Sequence, residues 1–276
     1  MKTIAHISDL HFGTEDPHIT TELLAELDGR RGPIPSLVAV SGDLSQRARI
    51  SELAACRSFL DRLPGPYLVV PGNHDVPLFD LPTRFMRPFE RYRQIITSTL
   101  CPSYVDDELA AVGINTAHGF TFKGGRITRE QAEVARAQLT SLPTHWKVVV
   151  AHHPFVLPAG GRPHDRVLGA DEAIPILEDA EVNLILSGHL HVAYASDVAG
   201  FRNADKKIVA VHAGTCISTR LRGEPNGYNH LTIVGDEVTI VHRTWSGDQF
   251  VDGVSKVYRR QRARFVPVRV EQRSHV

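Results

Sequence analysis

The chain has 276 residues, 42% hydrophobic and 22% charged, an ordinary globular usage that excludes disordered, collagen-like and coiled-coil classes. Its 31 Lys and Arg balance 31 Asp and Glu, so no net charge draws it toward nucleic acid or an anionic membrane surface. No apolar run approaches the ~20 residues of a membrane span. The first residues lack a signal-peptide pattern, and Cys56, Cys101 and Cys216 are odd in number without CxxC spacing, so a cytoplasmic setting is expected.

In chain order, short β-branched runs alternate with amphipathic helices. Strands are expected at residues 3–8, 36–41, 67–70, 146–151 and 182–187, whose near-continuous apolar character suits burial on both faces. Ile19, Leu23 and Leu27 form a helical stripe opened by Pro17 and closed by Gly29. Leu53, Cys56, Leu60 and Leu63 form a second stripe, which Pro64 ends. Thr128 and Gln131 make a capping box ahead of residues 132–139, and residues 171–180 predict a short helix with Pro175 in its first turn. Past residue 205, residues 208–213, 230–234 and 237–244 predict successive antiparallel strands, with Gly235-Asp236 as the clearest turn. The alternation predicts an α/β fold around a largely parallel sheet. With no repeat or linker, a single domain over 1–276 is expected, its motifs within 3–192 and its C-terminal strands and tail within 205–276.

The expected strands deliver, just past their ends, Asp9-Leu10-His11, Gly42-Asp43, Gly72-Asn73-His74-Asp75, His152-His153-Pro154 and Gly188-His189-Leu190-His191. In an open α/β sheet such loops converge beyond the carboxyl ends of the strands. Read as extended segments, Asp9 with His11 and His189 with His191 each offer two ligands on one side. Oxygen and imidazole donors without thiolate favour Mn, Fe or Zn. Seven donors suffice for two ions sharing a carboxylate. Two such ions lower the pKa of a water shared between them; no covalent nucleophile is evident.

This series resembles, in full and in order from residue 9 to 191, the signature of the calcineurin-like metallophosphoesterases. The resemblance implies a four-layer α/β/β/α sandwich of two packed mixed sheets and a dinuclear metal centre. It implies that Asp9, His11, Asp43 and His191 hold one ion, that Asp43, Asn73, His152 and His189 hold the other, and that His74 faces the phosphate with Asp75 orienting its ring. The short chain and the Gly-Asn-His-Asp block most resemble bacterial class III cyclic nucleotide phosphodiesterases, which implies a small phosphodiester substrate, hydrolysed through a metal-bridging hydroxide with His74 as phosphate stabiliser and leaving-group acid. Nuclease, phospholipid or nucleotide-sugar phosphoesterase members of the superfamily are the alternatives, then a non-catalytic scaffold. Nucleic acid is not expected as a partner, and the state of oligomerisation stays open.

Around this centre, Asn73, His74 and Arg222 are candidate substrate contacts, with Arg220 as an alternative to Arg222. The loops at 76–105 and 155–170, with Phe79, Phe85 and Phe155, are expected to wall the site, and Phe155 to stack on a base. His153 is expected to be structural, because neighbours leaving a strand face opposite ways. The basic run of Lys256, Arg259, Arg260, Arg262 and Arg264 reads as a solvated C-terminal segment.

Overall fold

The computed structural model describes residues 1–158, 161–197, 208–261 and 264–272. In chain order its strands and α-helices are β1 (Lys2–Ile7), α1 (Pro17–Leu27), β2 (Leu37–Val40), α2 (Ile50–Leu60), β3 (Tyr67–Val69), α3 (Leu81–Met86), α4 (Glu90–Ile95), β4 (Ser103–Val105), β5 (Leu109–Ile114), α5 (Arg129–Thr140) and β6 (Trp146–Ala151). They continue with α6 (Ala170–Asp179), β7 (Leu184–Ser187), β8 (Tyr194–Asp197), β9 (Val209–His212), β10 (Gly227–Val234), β11 (Glu237–Trp245), β12 (Phe250–Gln261) and β13 (Arg264–Gln272).

Apolar runs with no polar face need cover on both sides, and these strands have it. One sheet runs β13-β12-β11-β10-β1-β2-β3, the other β4-β5-β6-β7-β9-β8. Between them lies a core of aliphatic side chains, including Ile4, Leu68, Val148, Leu186, Val209 and Ile240. Helices α1, α2 and α4 cover the outer face of the first sheet, and α5 and α6 that of the second. The result is the four-layer sandwich. Strands β1, β2 and β3 are parallel, as are β5, β6, β7 and β9, so their carboxyl ends point to one side of the molecule.

Local sequence explains most boundaries. Asp16 caps α1 by accepting from His18 and Ile19 N–H, with Pro17 where no amide hydrogen is needed. The Thr128–Gln131 capping box opens α5 in both directions. Pro175 departs from expectation: it is the sixth residue of α6, past the first turn. The three late segments also divide. β9 runs parallel to β7 in the second sheet, whereas β10 extends the first antiparallel to β1 and β11 follows antiparallel to β10.

The basic run is corrected as well. Its described residues are strand rather than a free tail, with the arginines at the surface: Arg259 pairs with Glu237, Arg260 with Asp236, and Lys256 Nζ donates to the Ala195 carbonyl. Arg262 lies outside the described residues. Phe265 on β13 is buried against Trp146, ring centroids 5.7 Å apart. Replacing Phe265 by Ala should lower unfolding free energy by about 3–5 kcal/mol. Urea denaturation checks this, and a loss below about 1 kcal/mol would mean that β13 is not part of the core.

Below the strand ends the sandwich interior holds a polar column. His6 pairs with Ser41 Oγ at 2.9 Å and Asn229 Nδ2 at 3.4 Å, Asn229 reaches the His212 carbonyl and His242, and the His212 ring stacks on Tyr194 at 4.0 Å. Burial pushes the pKa of His6 and of His212 down to about 3. Both lie below the unfolded value near 6.5, so the unfolded chain binds more protons between pH 6.5 and 3, and the stability present above 6.5 is lost on acidification through that window. Protein freed of metal should therefore lose a few kcal/mol between pH 7 and pH 4, and His212→Asn should flatten that slope in urea titrations at the two pH values. An unchanged slope would show that His212 is not held neutral by the fold.

Candidate metal centre

The loops that follow β1 and β2 run side by side, tied by Asp9 N–H to Gly42 O at 3.1 Å, His11 N–H to Asp43 O at 2.9 Å and Phe12 N–H to Leu44 O at 2.9 Å. This places Asp9, His11 and Asp43 together, all buried. Their backbone is not extended, which corrects the argument that paired them by alternation. Asp9, His11, Asp43, His189 and His191 all have positive φ, between 46° and 75°, a left-handed conformation that non-glycine residues adopt at a cost of about 1–3 kcal/mol each. Sharp left-handed turns, rather than a strand's two-residue period, aim these side chains inward.

Close backbone approach completes the cradle. A Cβ at Gly72 would lie 2.2 Å from Asp43 Oδ1, and one at Gly188 would lie 1.8 Å from Ser8 Oγ, so neither position admits a side chain without displacing an aspartate or its neighbour.

The seven sequence-predicted donors come together. Asp9 Oδ1 is 3.7 Å from His11 Nε2 and 3.5 Å from His191 Nε2; Asp43 Oδ2 is 3.7 Å from His11 Nε2, and Asp43 Oδ1 is 3.3 Å from His152 Nε2. Asn73 Oδ1 lies 3.1 Å from both His152 Nε2 and His189 Nδ1. Asp9, His11 and His191, and likewise Asp9, Asp43 and His152, offer ligand atoms within 4.8 Å of one another, as do His152, His153 and His189. His153 nevertheless uses both ring nitrogens elsewhere, on Thr116 Oγ1 at 2.9 Å and the Lys123 carbonyl at 2.9 Å, in keeping with a structural role.

Three polar atoms here have no hydrogen-bond partner: Asp9 Oδ1 and both ring nitrogens of His11, all in fully buried side chains. An unpartnered buried carboxylate oxygen beside an unpartnered imidazole nitrogen is costly unless a cation joins them. The residues therefore fit metal binding. Electrostatics agree. Burial alone would raise the Asp9 and Asp43 carboxyls, but neighbouring histidines outweigh it and hold both well below the ordinary range. Burial lowers His189 and His191 to about 4, leaving neutral imidazoles. His152 moves the other way: burial opposes its charge, yet Asp43 prevails and lifts it to about 9, a proton that a cation would displace. Anionic oxygen, amide oxygen and neutral imidazole suit borderline divalent ions.

The orienting contacts differ from expectation. Asp75 does not reach the His74 ring. Residues 73–75 form a 3-10 turn, whose adjacent side chains diverge by about 120°. Asp75 instead accepts from the N–H groups of Leu44, Ser45 and Gly72 and from Ser45 Oγ, pinning the loop that carries Asp43. The His74 ring is set by the Gln46 carbonyl, 2.8 Å from Nδ1, and His191 by Thr215 Oγ1, 2.5 Å from Nδ1.

The walls also change. Phe155 is wholly buried in the outer core of the second sheet and faces no ligand. A cavity of about 240 Å³ opens over Asp43, Asn73, His74, His189 and His191, with Arg220 and Arg222 among its lining. As expected, the 76–105 and 155–170 loops wall this cavity, through Leu78 and through Arg162 and Asp165, but it also exposes Phe122 and Lys123, which pattern reading missed. Their one sequence signal is a pair of phenylalanines, Phe120 and Phe122, set among glycines (Gly119, Gly124, Gly125).

Comparison with known proteins gives the same answer independently. Residues 2–193 match the calcineurin-like phosphoesterase family. The chain is 28% identical over 216 residues to the glycerophosphodiester phosphodiesterase of Enterobacter lignolyticus, covering 68% of this chain and 70% of that protein. It is also 28% identical over 215 residues to a Synechococcus protein named "probable cyclic nucleotide phosphodiesterase", covering 70% and 74%. Among solved structures, a dimetal phosphatase from Danio rerio superposes with a TM-score of 0.64 at 12% identity, covering 91% of this chain and 98% of that one, which shows the shared fold. The chain belongs to the calcineurin-like phosphoesterase family and is a phosphoric ester hydrolase.

Proposed function

We propose that the chain, as a single domain, is a dinuclear metal-dependent phosphodiesterase of small diesters, cyclic nucleotides foremost. The observation that carries this reading is the fully buried, unpartnered Asp9 Oδ1 facing His11 and His191, next to a second cluster built on Asp43, Asn73, His152 and His189. Asp9, His11, Asp43 and His191 would hold one ion, and Asp43, Asn73, His152 and His189 the other. Support for diesters comes from the two phosphodiesterase-named relatives.

Bound ions would supply Lewis acidity, neutralising charge on the phosphoryl oxygens and making an attacking water more acidic. The chain's own groups do the rest. Nδ1 of His74 donates to the Gln46 carbonyl, which accepts only, so Nε2 is the atom turned to the cavity. When protonated, Nε2 donates to a phosphoryl oxygen and passes its proton to the departing alkoxide. Arg220 Nη1, 3.2 Å from Gln46 Oε1 and 3.4 Å from His74 Nε2, adds a fixed positive charge to the same wall. Asn73 Nδ2 donates to the Phe122 carbonyl, which turns Oδ1 toward the second cluster.

The direct test is hydrolysis of bis(p-nitrophenyl) phosphate and of 3′,5′-cyclic AMP by protein reconstituted with Mn, Fe or Zn. Metal-dependent turnover is expected, and no turnover with any of the three overturns the reading. His74→Ala should keep both ions by elemental analysis and lose about 10²–10⁴ in turnover; a near-normal rate would remove His74 from the chemistry. Asp43→Ala should lose occupancy of both ions, and a variant still holding two equivalents would contradict a shared carboxylate.

A further inference from the structure

Resting on the phosphodiesterase reading above, we propose that the cavity selects diesters carrying a second anionic group, most simply a further phosphate, read by Lys123 and Arg222 at the two ends of the metal cradle.

Charge accounting comes first. The cavity is lined by Lys123, Arg162, Arg220 and Arg222 against one rim acid, Asp165. Arg162 Nε is held by Asp165 Oδ2 at 3.2 Å, and Arg220 is engaged with Gln46 and His74. Lys123 and Arg222 make no ion pair among the described residues, although other surface arginines of this neutral chain find acids, as in Arg30–Asp28, Arg57–Asp61 and Arg260–Asp236. The single negative charge of a simple diester would already be met by the bound ions and Arg220. Two cations remain for a second group.

Their placement is specific. Lys123 follows Phe122, whose carbonyl receives Asn73 Nδ2, so it stands at the Asn73–His189 end. Arg222 lines the cavity from the loop at the other end, where Thr215 Oγ1 lies 3.3 Å from the Arg220 carbonyl and 2.5 Å from His191 Nδ1. Nor is Lys123 carried on a loose loop. Four successive carbonyls are bonded: Thr121 O by Arg84 Nη2, Phe122 O by Asn73, Lys123 O by the His153 ring, and Gly124 O by the Thr121 hydroxyl. Arg84 is 1% exposed, also reaches Pro77 O at 3.0 Å, and lays its guanidinium over the Phe122 ring at 4.1 Å. The loop is a fixed wall. A guanidinium that grips phosphate in a bidentate fashion and an ammonium acting as a point charge are complementary readers of such a group.

The test compares the dinucleotide ApA with its 5′-phosphorylated form pApA in the metal-loaded protein, and the binding of adenosine 3′,5′-bisphosphate with that of AMP by calorimetry. Wild type should favour pApA in kcat/KM, and the bisphosphate in Kd, by about tenfold, the scale of one charge-assisted hydrogen bond. In the Lys123→Gln/Arg222→Gln double variant both ratios should fall toward one. Equal values in the wild type, or undiminished ratios in the double variant, overturn the proposal. Turnover of ApA and cyclic AMP without preference would sink this inference and leave the phosphodiesterase reading standing. Tighter bisphosphate binding with no diester turned over would do the reverse.

Discussion

Two fully buried carboxylates, Asp9 and Asp43, set against inward-turned imidazoles are the constraint around which the molecule is arranged. An ionised carboxylate taken out of water loses several kcal/mol of solvation even after relaxation. Only part of that is returned by protein donors: Asp9 Oδ2 accepts from Ser8 Oγ and His189 N–H, and Asp43 Oδ1 from His74 N–H. The other oxygen of Asp9 has nothing. A hydrophobic interior would expel such a group or protonate it. Here the surrounding histidines keep both acids ionised, which is the state a cation needs.

Backbone strain adds to this cost. Five donor residues in the left-handed region, at about 1–3 kcal/mol each, together approach the net stability of a whole domain. The strain persists because the flanking backbone is over-determined. Parallel strands feed the two loops in register, three main-chain hydrogen bonds join them, and Asp75 ties the second loop to the turn that carries Asn73 and His74. Asp75 is thus better understood as a brace for Asp43 than as a partner of His74. Burial and the nearby Asp43 push its carboxyl up to about 6 while three backbone N–H groups favour its charge, the sign of a group held in place by its neighbours at electrostatic expense.

Much of this was legible in the sequence. The five polar blocks, their order and the strand ends that present them follow from apolar runs of the right length, because a strand buried on both faces has few other ways to look. What escaped detection did so for physical reasons. Strand β5 reads Leu-Ala-Ala-Val-Gly-Ile, too small and too short of β-branching to advertise itself. Strand β12 carries arginines that pair with acids at the turn between β10 and β11, and β13 beside it adds more, so their charge mimics a solvated tail. Phe155 looked like a wall, but whether an aromatic faces ligand or core depends on tertiary packing. The partners of the His74 and His191 rings, Gln46 O and Thr215 Oγ1, are a backbone carbonyl and a common hydroxyl. Neither leaves a trace in residue pattern.

The same division separates chemistry from selection. The cradle floor is made by residues that must be Asp, Asn or His at strand ends, and their identity announces the reaction. The rim is made by side chains whose role depends on where a loop is held. Arg84 shows how that holding is done: a buried guanidinium with no ion pair among the described residues and an unpartnered Nε is unfavourable in itself, and burial lowers its pKa. It is tolerated because its other nitrogens close on Pro77 and Thr121 carbonyls and its plane covers Phe122, joining two segments that would otherwise move independently. A rigid rim loses less conformational entropy when substrate binds. It also fixes the distance from Lys123 to the cradle, against which, on the proposed reading, a second charge on the substrate would be measured. On the proposed reading, selectivity is a property of a clamped loop, and the clamp lies outside the five polar blocks that carry the chemistry.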